Sequence, residues 1–154
     1  MRDFNEGDRK KKTSRIRVRE NPANLSKEVL AELESKVKDS LKDGYLSCPV
    51  GWKIAKDADV PKIAVGEIAD RLGIRVTDCQ LGCFRVEKTF YDDPDHEHLD
   101  GEIVAELEQL IERNELTCPK VFELARKYKV KPLDIAHEVS ARGLKFLECQ
   151  LGCF

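Results

Sequence analysis

The hexapeptide Cys-Gln-Leu-Gly-Cys-Phe stands at residues 79–84 and again at residues 149–154. A shift of 70 positions aligns far more than these six letters. Cys48-Pro49 falls on Cys118-Pro119, Ala55 on Ala125, Val60 on Val130 and Gly73 on Gly143, with no gap from the first cysteine to the last. Self-similarity at a fixed spacing limits the fold before any local signal does. Two copies are too few for a solenoid. The expectation is a small domain, duplicated and packed as a pseudo-dimer within one chain.

Each copy carries the same succession of helical signals. Val29, Leu30, Leu33, Val37 and Leu41 recur at three- and four-residue spacing, as do Ile103, Val104, Leu107, Leu110 and Ile111. Each set marks an amphipathic helix with one buried face. Asn24 or Ser26 would cap the first and Asp100 the second, and Gly44 suits the end of the first. A second helix is expected from Cys48-Pro49 and from Cys118-Pro119, after Ser47 and Thr117 as N-caps, because proline tolerates the first helical turn. Trp52 and Phe122 occupy matching core positions on it. Both copies break near Val60-Pro61 and Val130-Lys131-Pro132. A third helix follows on Ile63, Val65, Ile68, Ala69 and Leu72, and on Leu133, Ile135, Ala136 and Val139, ending at Gly73 and Gly143.

Extended runs over 74–78 and 144–148 then deliver the chain to the cysteine motif. Residues 85–90 could pair back on 74–78 as a hairpin, with Gly82 in the turn and Phe84 and Phe154 plugging the core. The fold class expected is mainly α: two tandem three-helix repeats, each closing in a short extended segment or hairpin. The divisions are a basic flexible tail at 1–22, a first repeat at 23–90, an acidic linker at 91–99 and a second repeat at 100–154.

The join Ala55-x-x-x-Asp59-Val60, echoed as Ala125-x-x-x-Lys129-Val130, resembles the helix-turn-helix family, and the extended run after it resembles the winged variant. The resemblance covers roughly 47–80 and 117–148. It implies a reading helix in the DNA major groove, with Lys62, Glu67, Asp70 and Arg71 as outward positions in the first copy and Lys131, His137, Glu138, Ser140 and Arg142 in the second. The acids among them oppose phosphate binding.

Charge is uneven along the chain. Residues 1–22 hold Arg2, Arg9, Lys10, Lys11, Lys12, Arg15, Arg17 and Arg19 against four acids, a tail of +4 on a chain whose total is −2. Such an arm suits nucleic acid or an acidic protein partner, although a solubilising tail has the same composition. No run reaches the roughly 18 apolar residues of a membrane helix, and the first residues lack the apolar core of a secretory signal. A cytoplasmic, non-membrane protein is expected, where thiols stay reduced.

Six cysteines in such a compartment point to ligation or redox work. Cys48 and Cys118 sit where a helix dipole favours thiolate, the form that binds metal. The Gln-Leu-Gly turn can direct two more sulfurs to one side. The sets expected from chain order are Cys48, Cys79 and Cys83, and Cys118, Cys149 and Cys153. Three thiolates are one short of a closed zinc site or a four-cysteine iron–sulfur cubane. His96 and His98 alternate in the linker and could add a donor. Burial as small core hydrophobes and a reversible Cys79–Cys83 bridge are the alternatives. The chain holds no phosphate-binding loop, zinc-protease motif or nucleophile elbow. The expectation is therefore a non-enzymatic zinc or iron–sulfur protein acting as a redox-linked binding or regulatory module. A DNA-binding regulator with metal- or redox-sensing cysteines and a thiol redox protein stand as the other readings.

Overall fold

The computed structural model describes residues 19–83 and 99–154. Most of the basic tail, the strand expected over 85–90, Phe84 and nearly all of the 91–99 linker with His96 and His98 lie outside the described residues. Those residues form six helices and two three-residue strands, a mainly helical protein. Among them, no helix is long and apolar enough to cross a membrane.

The chain divides into two compact units. The first comprises the described residues up to Cys79 together with Gln150–Phe154, and the second runs from Gln80 to Cys149. Neither boundary coincides with the repeat boundary read from the sequence. In both copies the division falls directly after the first cysteine of the hexapeptide.

In the first unit, α1 (Lys27–Asp39) begins at Ser26, whose hydroxyl accepts the Val29 amide at 3.3 Å. Leu33 and Val37 on its inner face are fully buried. Gly44 does not end this helix. It follows Asp43 in a two-residue reverse turn in which both residues have positive φ (53° and 80°). Lys42 and Tyr45 exchange backbone hydrogen bonds of 2.9–3.0 Å across it. Asp-Gly favours this geometry because glycine takes the left-handed conformation without steric cost.

The turn launches β1 (Tyr45–Ser47), which pairs in parallel with β2 (Arg75–Thr77) in the register Tyr45↔Arg75, Leu46↔Val76, Ser47↔Thr77. The extended run after the third helix is therefore real, and its partner is the short strand before the second helix. Between the strands lie α2 (Cys48–Asp57) and α3 (Lys62–Arg71). The Ala-x-x-x-Asp-Val signature is the C-terminal lock of α2. The Val60 amide donates to the Ala55 carbonyl at 2.9 Å and the Asp59 amide to that of Lys56 at 3.2 Å, with Asp59 left-handed (φ 52°). These bonds satisfy carbonyls that the end of a helix leaves without partners.

The second unit contains α4 (Gly101–Glu112), α5 (Cys118–Tyr128) and α6 (Pro132–Ala141). Ile103, Leu107, Val121, Ile135 and Val139 are buried to 1 % exposure or less and form its centre. Its α5 ends in the same lock, with the Val130 amide donating to Ala125 at 3.0 Å and Lys129 left-handed (φ 57°). The strand pair of the first unit is reduced here to two backbone bonds, Leu147 N–H to Leu116 O at 3.0 Å and Cys118 N–H to Glu148 O at 2.9 Å.

Candidate functional site

Cys48 is the first residue of α2 and Cys118 the first of α5; both are buried. Proline follows each and lacks only an amide hydrogen that the first helical turn does not use. Ser47 and Thr117 occupy the N-cap positions, yet neither side chain caps the helix. The amides at these helix starts carry the positive end of the dipole, an environment that favours thiolate.

At each helix start the backbone pairs with the segment that leads to a second cysteine. In the first unit the parallel register ends at Ser47↔Thr77, and both strands advance in the same direction beyond it. Cys48 follows Ser47 directly and Cys79 lies two residues past Thr77, so the two buried thiols flank one end of the strand pair. In the second unit the Cys118 amide donates to the carbonyl of Glu148, the residue directly before Cys149. One backbone hydrogen bond thus ties Cys118 to the residue before Cys149. None of the six cysteines is in a disulfide.

The third cysteine of each expected set is counted in the other compact unit. Cys83, exposed, belongs to the second unit, where its thiol lies 3.9 Å from the Leu81 carbonyl. Cys153, half-buried, belongs to the first. The segment carrying Cys153 is held firmly there. Leu151 is 1 % exposed and packs where side chains are missing at Gly51 and Gly66. Gln150 accepts a 2.6 Å hydrogen bond from the Lys62 ammonium. As the side chains stand, no group of three or more His, Cys, Asp or Glu among the described residues is placed to hold a metal ion.

No protein-family model, curated protein or solved structure matches the chain. The chemistry must therefore be read from its own residues.

The helix expected to read DNA is enclosed. Ala64, Val65, Gly66, Glu67, Ile68 and Ala69 of α3 are all buried in succession, so the helix offers no continuous polar face. Glu67, expected outside, is inside, and burial raises its carboxyl above the usual range while Arg71 pulls the other way. Arg71 is held by Glu34 at 2.6 Å and Glu67 at 3.4 Å. On α6, His137 and Glu138 are half-buried, and Arg142 is bound to both Glu138 and Glu108.

The sequence reading missed a basic groove of about 550 Å³ at the α2–α3 join. Trp52, Lys53, Lys56 and Lys62 line it beside Val60 and Pro61, with no carboxylate among the described residues that line it. The Lys62 ammonium stands 4.0 Å from the centre of the Trp52 ring, a cation–π contact. Trp52 is therefore a half-buried wall and not a core plug. Its signal was present as a lysine four positions after the tryptophan, Lys56 after Trp52, a spacing that a helix places side by side.

Proposed function

We propose that this protein is a non-enzymatic, cysteine-ligated zinc or iron–sulfur module, built from two copies of one helix-turn-helix-like three-helix unit and acting as a redox-linked regulatory element in the cytoplasm. The observation that carries this reading is the recurrence of one arrangement. A buried cysteine opens a helix, and the backbone pairing at that helix start reaches to within two residues of a second cysteine, in both units. Two thiolates at the positive end of a helix are half of a tetrahedral zinc set. A bound ion would draw further donors in from where they now stand.

The test is anaerobic purification followed by metal and acid-labile sulfide analysis and a visible spectrum. The reading expects about two zinc ions per chain, or a brown protein with comparable iron and sulfide. A colourless, metal-free chain that takes up neither zinc nor iron with sulfide sinks it.

The basic groove favours a second reading, a DNA-binding regulator with sensing cysteines. Because α3 is enclosed, the lysines around Trp52 would make the contact through phosphates. Retention on duplex DNA that weakens steeply with salt and is lost in a Lys53→Glu/Lys56→Glu variant is its expectation. Equal passage of both proteins over the column at low salt removes it.

A further inference from the structure

We infer that the groove at the α2–α3 join is a docking site for an acidic segment of a partner protein, in which the Lys62 ammonium receives a carboxylate and an apolar side chain lies against Trp52. The inference is independent of the cysteine chemistry and competes with the DNA reading for the same lysines. It starts from Lys62, a half-buried cation held by two neutral groups. Its ammonium donates to Gln150 Oε1 at 2.6 Å and stands 4.0 Å from the centre of the Trp52 ring. An amide oxygen and an indole face orient this charge without cancelling it. A carboxylate would do both, because charge-assisted hydrogen bonds are roughly twice as strong as neutral ones.

The neighbouring charges are uncompensated as well. Lys36 and Lys120 bond carboxylates at 2.6 and 3.1 Å, but Lys53 and Lys56, both exposed, form no ion pair among the described residues. Three cations thus line one cavity of about 550 Å³, whose remaining walls include Ala55, Val60 and Pro61. These walls favour a peptide over a nucleic acid. Phosphates gain nothing from aliphatic surface, and Lys62 already covers the Trp52 ring, where a base would stack. Asp57 and Asp59, exposed just after Lys56 in the chain, oppose a continuous polyanion laid across the join. A short segment with acids on either side of one apolar residue uses both the cations and the walls.

The second copy shows that these lysines are not what holds the join together. At the matching positions Lys53 becomes Glu123 and Lys62 becomes Pro132, and Glu123 pairs with Lys120 at 3.1 Å. The helix nevertheless ends in the same bond, Val130 N–H to Ala125 O at 3.0 Å against Val60 N–H to Ala55 O at 2.9 Å. The two joins share their backbone and differ in their charge, so the site belongs to the first copy.

The test titrates the full chain with a capped peptide that carries one leucine between two pairs of glutamates. Trp52 is the only tryptophan, so its emission reads the groove directly. A saturable change in emission is expected, with shifts of the Trp52 indole and Gln150 side-chain amide resonances. Lys62→Met keeps an apolar stem over the ring and removes the charge, while Lys53→Glu/Lys56→Glu reverses two exposed charges. Each should weaken binding about tenfold or more, the usual weight of a hydrogen bond to a charged group. If Lys62→Met loses its helical circular dichroism, the double variant decides alone. The same peptide with glutamines for glutamates should not bind. Absence of a saturable response in the wild-type chain overturns the proposal, as does wild-type affinity in the double variant. Duplex or single-stranded DNA that displaces the peptide at a lower concentration than the peptide itself needs overturns it in favour of the DNA reading.

Discussion

Gly66 lies so close beneath Leu151 that a Cβ at position 66 would stand 1.9 Å from the Leu151 carbonyl oxygen. The obstructing atom is backbone and cannot swing away. Gly66→Ala must therefore push the last segment off α3 or bend the helix. Overpacking of this kind costs about 1–3 kcal/mol. Leu151→Ala removes a side chain that is 1 % exposed, at a cost of about 2–5 kcal/mol. Because both changes act on one contact, the double variant should lose less than the sum. Urea midpoints of the four proteins check this, and a Gly66→Ala chain as stable as wild type would contradict the seat.

Left-handed residues give a second prediction. Lys129 ends α5 at φ 57° and Gly143 follows α6 at φ 68°. A Cβ on Gly143 would meet nothing within 4 Å, so Gly143→Ala tests backbone strain alone. It should destabilise by about 1 kcal/mol, and Lys129→Gly should recover up to that amount. Thermal unfolding of both variants should move in opposite directions; a shared direction contradicts the account.

How much of this could be read beforehand depended on how far apart in the chain the interacting groups lie. The helices were legible because Leu33 and Val37, or Ile103 and Leu107, repeat within one turn. The join was legible too, since Ala55 and Val60 bond across five residues. The partner of β2 was not. Tyr-Leu-Ser is too short to show a strand period, and its pairing spans two helices. The seat of Leu151 was hidden for a related reason. Chain order suggests that each hexapeptide packs on its own copy, while these contacts join residue 151 to residues 51 and 66. The glycines at those two positions were the available signal, because duplication put Val121 and Ala136 opposite them.

Two carboxylates should shape the acid limb of the stability curve in opposite ways. Burial raises Glu67, so the folded chain holds that proton more tightly than the unfolded one. Its contribution is fully present below the ordinary carboxylate pKa and is lost as pH rises through the folded value. Glu67→Gln should therefore gain on wild type as pH climbs toward neutral. Glu106 is depressed by hydrogen bonds from Lys127 and Tyr128. Its stabilisation is present above the ordinary value and lost as pH falls through the folded one. Glu106→Gln should therefore be weaker than wild type at neutral pH and converge with it in acid. Urea midpoints between pH ~3 and ~7 read both trends.

Asp134 stands in the first turn of α6, 6 % exposed, where the first copy has the equally buried Ala64. Its Oδ2 has no hydrogen-bond partner among the described residues. An unsatisfied buried acceptor costs about 1–3 kcal/mol. The helix dipole returns about 0.3–1 kcal/mol of that to an acid at this end. The first term is the larger, so Asp134→Ala, which restores the residue of the other copy, should raise stability by about 1 kcal/mol. Asp134→Asn should gain less, since it removes the charge and leaves a polar group to satisfy. Unfolding midpoints at neutral pH decide. If the alanine variant were the less stable protein, the carboxylate would be holding a partner in solution, and the duplication would have placed a working group where its sister copy has only a methyl.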